Sequence, residues 1–312
     1  SYEPNAVYYS DTSYKPRKAN ALTAQYGDLI EQFINSALDR GLKVYFQMSA
    51  TGPTGLNDDD RPRLPDGRLP DRMADTGCLA SQAIRSYNEA YVHDMLDTYP
   101  QITGFRPDWP EYPCYKLDEA FQDFNPQVKV WAEQHGIDFE AIRTEVNAFY
   151  VYLHGGLRNQ DLLDLSGPNR GKTTMAVWLR KYPRILDWLR LKTALSNDLI
   201  RHWRSIITRY GGPEKELSAN AFMTPLTLWT GLDFSDASEI CDAISPKLYT
   251  MHWSVMVEFW GRVLLDENPG LNEALVVKSL AHLFDLGDVI TAEKISDYGY
   301  PAPHEPHPGR NP

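Results

Sequence analysis

The stretch from residue 22 to residue 50 does most to limit what this chain can become. In "LTAQYGDLIEQFINSALDRG" the apolar residues Leu29, Ile30, Phe33, Ala37 and Leu38 recur at helical spacing. Thr23 stands where an N-cap belongs and Gly41 where a helix ends. "LKVYFQMSA" (42–50) follows at once, apolar and rich in β-formers, with the length of a buried strand. A helix handed through a glycine into a buried strand is the rhythm of a parallel α/β protein.

The rhythm returns further along. Residues 81–98 predict a helix with Ile84, Tyr87, Tyr91, Met95 and Leu96 on one face, and "ITGFRPDW" (102–109) predicts a second buried strand. A mostly helical stretch from about 126 to 210 follows. Strand character resumes in "ELSANAFMTP" (216–225) and again in "AISPKLYTMHW" (243–253). Between and after these strands lie helical segments near 235–242, 254–265 and 271–286. Strands alternating with helices, and polar or aromatic residues clustered just after each strand, predict an α/β chain of (β/α)8 TIM-barrel type whose site lies at the C-terminal strand ends. Four strands do not close eight, so the barrel is read as incomplete: one domain over 1–300 with the helical insertion, then a Pro-rich tail over 301–312.

Composition removes several classes of function. The net charge of −11 argues against nucleic acid, which needs clustered Lys and Arg. No apolar run approaches the ~20 residues of a membrane span. "SYEPNAVYYS" lacks the basic and apolar regions of a signal peptide, which tilts the reading toward the cytoplasm; it also lacks an initiator Met, so the chain is read as processed or truncated. Cys78, Cys114 and Cys241 are too sparse for a disulfide framework and are expected to be free thiols. "SGPNRGKTT" (166–174) invites a phosphate-loop reading, but the motif needs a glycine with four residues between it and Gly171, where this chain has Ser166; Gly167 is one residue too close, and no buried strand precedes it. It reads instead as a loop between helices, with Thr173 capping the second. The loop over 51–80 holds Asp58, Asp59, Asp60, Asp66, Asp71 and Asp75, but not at calcium-loop spacing, and Arg61, Arg63, Arg68 and Arg72 offset the charge. A solvated or lid-forming loop is expected there. His304 and His307 are too isolated for a metal site, so neither metal nor cofactor is expected.

The stretch richest in chemistry is "GFRPDWPEYPCY" (104–115). Arg106 and Asp108 share one face of a strand, and an Arg beside an Asp favours the carboxylate and fixes its rotamer. Asp108 and Glu111 are candidate catalytic carboxylates for a glycosidic bond, with Trp109 and Tyr112 interleaved. Glycosidase carboxyls usually stand on different strands, so either one is equally open to a partner from elsewhere. Gln47 and Asn220, also just after strands, suit sugar hydroxyls. Tyr249, His252 and Trp253 end the last strand candidate, and such residues stack on and hydrogen-bond to sugars.

With these motifs in view, "LKVYFQ", "RPRLPDGRLP", "GFRPDWPEYPCY", "LDEAFQDFNPQ" and "CDAISPKLYTMHW" resemble bacterial TIM-barrel proteins classed as glycoside-hydrolase-like, over roughly residues 1–300. More distantly, "GFRPD" is similar to the Gly-Phe-Arg-x-Asp strand of the α-amylase clan, and to the Lys-x-Asp-Trp strand of α-galactosidase-like enzymes. The resemblance implies a glycosidase with Asp108 as nucleophile and Arg106 as its partner. The chain departs from those strands by placing Pro107 between the two and Pro110–Glu111 just after. The expected partner is a carbohydrate substrate. A non-catalytic carbohydrate-binding barrel fits the same residues; a metal-dependent barrel hydrolase fits less well, because no HxH or HExxH occurs.

Overall fold

The computed structural model describes residues 2–53, 55–167, 171–224, 226–286 and 292–298. Four strands form one sheet: β1 (Tyr45–Ser49), β2 (Gly104–Asp108), β3 (Glu216–Ala221) and β4 (Ala243–Pro246). All neighbours are parallel and the order is β1-β2-β3-β4, so each strand lies beside its successor in the chain. The expected α/β class is what forms. Among the described residues β1 and β4 do not pair with each other, so the sheet is open.

Helices supply every crossover, as parallel pairing requires. Before β1 come α1 (Ala21–Tyr26) and α2 (Asp28–Leu38). Between β1 and β2 runs α3 (Gln82–Thr98), capped by the Ser81 hydroxyl. Between β2 and β3 lie α4 (Leu117–Ala120), α5 (Pro126–Gln134), α6 (Phe139–Leu153), α7 (Asn159–Ser166), α8 (Gly171–Lys181) and the long α9 (Arg184–Gly211). The stretch expected to be mostly helical over 126–210 is filled by helices between Leu117 and Gly211. Next come α10 (Thr227–Thr230) and α11 (Phe234–Ser238), then, after β4, α12 (Thr250–Glu267) and α13 (Glu273–Leu283).

The two faces of the sheet differ in chemistry because residues alternate along each strand. Phe105, Leu217, Ala219 and Ala221 are wholly buried on one face, where α9 packs on β2 and β3. Trp203 of α9 and Asn88 of α3 both donate to the carbonyl of Ala50, at 3.2 and 2.9 Å, and tie that helical layer to the end of β1. The other face carries Tyr45, Gln47, Ser49, Arg106, Asp108, Asn220 and Ser245 in register. Gln47 is exposed and most of the rest are half-buried, so this face is open and polar. Gly104 starts β2 because nothing larger fits: a Cβ there would lie 1.9 Å from the carbonyl oxygen of Glu216.

Four sequence expectations need correction. The helix expected over 22–41 breaks at Gly27, and Asn20 rather than Thr23 is its N-cap, with Thr23 closing a capping box. Gly41 does end it, at φ 72°. Of its apolar stripe, Leu29 and Phe33 are exposed (53% and 71%); Ile34, outside that stripe, is the buried residue. Ile30, Ala37 and Leu38 are half-buried, and Ile30 and Leu38 pack against the main core, so only part of the stripe is left uncovered. The fourth strand stops at Pro246 instead of running to Trp253, and α12 starts at Thr250. Thr173 lies inside the first turn of α8 rather than ahead of it, while the segment before "SGPNRGKTT" is helix α7. The tail, with His304 and His307, lies outside the described residues.

Candidate active site at the strand ends

The register puts Ser49, Asp108, Asn220 and Ser245 in one row across the C-terminal end of the polar face. Asp108 is its centre. Asn220 donates to Asp108 Oδ1 at 3.0 Å, and Gln47 donates to Oδ2 at 3.4 Å. The third partner is Lys247, whose Nζ is 2.5 Å from Oδ1. β1, β3 and the residue just past the end of β4 thus each supply a donor to a carboxylate on β2.

Lys247 was not apparent among the sequence candidates, where Arg106 stood as the partner of Asp108. Arg106 forms no ion pair among the described residues; its guanidinium lies 5.5 Å above the Tyr45 ring. An i, i+2 pair on an extended strand is about 7 Å apart at Cα, and each side chain stands over its own cross-strand neighbour. Lys247 wins because it enters from the end of β4, where its amide donates to the carbonyl of Ala221 at 2.9 Å and continues the ladder. A lysine inside the apolar run "AISPKLY", at the same parity as Ser245, was the one signal for it.

Trp109 gives the lysine its floor. It adopts φ 54°, in the left-handed region that non-glycine residues seldom occupy. Its amide donates to the carbonyl of Asn220 at 3.1 Å, and its ring centroid lies 3.5 Å from Lys247 Nζ. A cation on the face of an indole is favourable, the more so where water is excluded. Burial pulls the Lys247 ammonium below the ordinary lysine range, and Asp108 opposes that. Beyond Trp109, the Tyr115 hydroxyl meets His252 Nδ1 at 3.1 Å, and Tyr249 packs edge-on against the same imidazole. Burial first, then the nearby Lys247 charge, push His252 down to about 4, so the ring is neutral at pH 7.

The other expected site residues lie elsewhere. Glu111 is fully enclosed: one oxygen accepts from the Phe222 amide and the other from the Thr230 hydroxyl at 2.5 Å. It brackets the end of β3 to α10 and has no surface for a substrate. Burial pushes its carboxyl up to about 7, against those two bonds and the Lys247 charge. Tyr112 is also fully buried; its hydroxyl donates to Asp123 at 2.9 Å and accepts from the Leu79 amide at 3.2 Å. Trp253 is buried on α12 with its indole N–H on the Thr224 carbonyl at 3.0 Å, so it is no exposed platform. An apolar-aromatic sequence pattern cannot separate rings that face a ligand from rings that face the core. Gln47, Arg106, Asp108, Trp109, Asn220, Tyr249 and His252 do converge on the open face or its rim.

Neither a family model nor a curated protein matches this chain. The site has to be read from its own geometry. The acidic loop over 51–80 contributes no cation cage: among the described residues no group of three or more His, Cys, Asp or Glu has metal-binding geometry. Four of its aspartates are instead spent on neighbouring cations, Asp58 on Arg63, Asp66 on Arg68, Asp75 on Arg72 and Asp71 on Lys116, and Asp60 accepts from the Tyr14 and Ser81 hydroxyls. Glu119 accepts the amides of Met73 and Ala74, and Asp123 accepts that of Arg63, so the loop is tied down rather than free to act as a lid. Cavities of ≈ 610 and ≈ 650 Å³ lie among the helices and include none of the residues around Asp108. No helix among the described residues is long and apolar enough to cross a membrane.

Proposed function

We propose that this protein is a glycoside-hydrolase-like enzyme in which Asp108 is the carboxylate that acts at the anomeric carbon, as nucleophile or through a water. The observation that carries the reading is the clamp on Asp108 by Gln47, Asn220 and Lys247 at the C-terminal end of the sheet. A carboxylate held by donors from β1, from β3 and from just past β4 is preorganised, which is what attack on an oxocarbenium-like centre requires. Trp109, Tyr249 and the neutral His252 beside it offer an aromatic face and hydrogen-bonding groups of the kind sugar sites use. We read the sheet as part of a (β/α)8 barrel, supported by the sequential parallel order and by the clustering of polar residues at one end of the strands.

Asp108→Asn tests this on a panel of aryl glycosides. It keeps the size of the side chain and removes its charge. The expected loss in kcat/KM is about 10²–10⁴-fold on any glycoside the wild type cleaves; unchanged turnover on all of them overturns the assignment. The enclosure of Glu111 favours a second reading, sugar binding without turnover, because the nearest expected acid is not available to a substrate. Sugar binding by a wild type that cleaves none of the panel selects it.

A further inference from the structure

One row below Asp108, the polar face carries a cation that the fold leaves unanswered. Arg106 shares that face with Asp108 and lies opposite Gln47. Among the described residues no carboxylate reaches its guanidinium, its Nε is enclosed without an acceptor, and its nearest partner is the Tyr45 ring. The acids that might have served are taken. Asp108 is paired with Lys247. Glu111 is bonded to Phe222 and Thr230. Glu216, at the opposite end of the sheet, is held by Lys43 at 2.6 Å and by the Tyr45 hydroxyl. The chain has 42 acidic residues against 31 Lys and Arg, and it pairs other arginines readily, Arg85 with Asp198 and Arg204 with Asp242 among them. Here, on the face that bears the candidate catalytic carboxylate, it leaves one positive charge in surplus.

We propose that Arg106 is the anchor of an anionic subsite, and that the sugar taken at Asp108 is a uronic acid whose carboxylate pairs with the guanidinium. A planar guanidinium presents paired N–H donors that match a carboxylate's two oxygens. A monoanion balances a single surplus cation. A phosphate monoester, with a charge of about −1.5 to −2 at pH 7, leaves charge uncompensated on a partly enclosed face. The overall charge of −11 does not forbid an acidic ligand, because repulsion from distant carboxylates is screened over about 8 Å at physiological salt, whereas Arg106 acts by contact. The proposal rests on reading the Asp108 site as a sugar site.

Calorimetric titration of the wild-type protein with D-glucuronate, D-galacturonate, D-glucose, D-galactose and glucose 6-phosphate tests it, at low and high salt, beside turnover of aryl glucuronides and aryl glucosides. The uronates are expected to bind at least about tenfold more tightly than their neutral counterparts, a difference of about 1.4 kcal/mol. Salt weakens that preference, Arg106→Gln abolishes it, and Arg106→Lys keeps part of it. Equal or better binding of the neutral sugars, tighter binding of the phosphate, or a preference that survives Arg106→Gln overturns the subsite. The wild-type comparison needs no variant and stands if the substitutions misfold. Neutral glycosides cleaved without any uronate preference overturn the subsite and leave the hydrolase reading intact. Arg106-dependent uronate binding without turnover of any glycoside supports the subsite and overturns hydrolysis. Silence from all five ligands overturns the subsite whatever the glycosides do.

Discussion

Glu111→Gln separates a buried bracket from a catalytic acid. Oε1 of Glu111 accepts the Phe222 amide, and Oε2 accepts the Thr230 hydroxyl, which also lies 3.0 Å from the Thr227 carbonyl. When Glu111 is protonated, its O–H donates to Thr230 Oγ1 and the threonine turns its own proton to Thr227. Glutamine reproduces that arrangement, its Oε1 on the Phe222 amide and its Nε2 on Thr230. Burial raises the Glu111 carboxyl from 4.5 to about 7 in the folded state. Between those two values the folded protein holds a proton that the unfolded chain has released, so wild-type stability falls as pH rises through that window. The difference in proton affinity is worth about 3 kcal/mol. Glutamine cannot titrate. The variant should therefore match the wild type below pH 4.5 and exceed it by up to about 3 kcal/mol above pH 7. Urea unfolding of both proteins across this range gives the difference, because the titrating groups that do not interact with Glu111 cancel between them. Stability curves that stay parallel, or a variant less stable above pH 7, refute the reasoning: the carboxylate would then be ionised and its charge in use.

Two further outcomes follow from the same geometry. Lys247→Met removes the cation from Asp108 and leaves a half-enclosed carboxylate with only amide donors, which should cost about 2–3 kcal/mol at neutral pH, somewhat less than a wholly buried pair; a double-mutant cycle with Asp108→Asn should show the two changes costing less together than apart, and strict additivity refutes the ion pair. Gly104→Ala places a Cβ where the Glu216 carbonyl already stands, so β2 and β3 must separate, at a cost of at least about 3 kcal/mol in thermal unfolding; a change under 1 kcal/mol means the strands do not approach as described.

Much of the fold was legible because its signals are local. The Gly41 terminus and the helical insertion follow from periodicity and turn chemistry, and β1 to β3 arise within a few residues of where β-propensity puts them. The errors sit where tertiary context overrides a local preference. "AISPKLYTMHW" has strand composition throughout, yet Pro246 ends the ladder, and the apolar spacing through Trp253, Met256, Val257 and Trp260 belongs to a helix that buries that stripe. On α2 the reverse holds. Leu29 and Phe33 have the spacing of a core face without a core against them, so the pattern records a tendency to be covered rather than a contact.

The site was legible as a set of strand ends and not as a set of pairings, for a reason rooted in parallel sheets. Neighbours along a strand share a face but stay about 7 Å apart, while neighbours across strands stand about 4.8 Å apart in register. The partners of Asp108 therefore come from positions 47, 220 and 247, each more than sixty residues away, and Arg106, two residues away, is not among them. Sequence proximity favours the wrong cation. The same rule explains why Glu111 left the site: once Trp109 turns the backbone through φ 54°, the next residues run behind the end of β3, and the carboxylate meets the Phe222 amide instead of solvent. The turn that seats Trp109 beneath Lys247 is thus also the turn that buries the second carboxylate. On the hydrolase reading proposed above, a second carboxylate is to be sought on the far side of the open polar face, across from Asp108, and not in the loop that follows it.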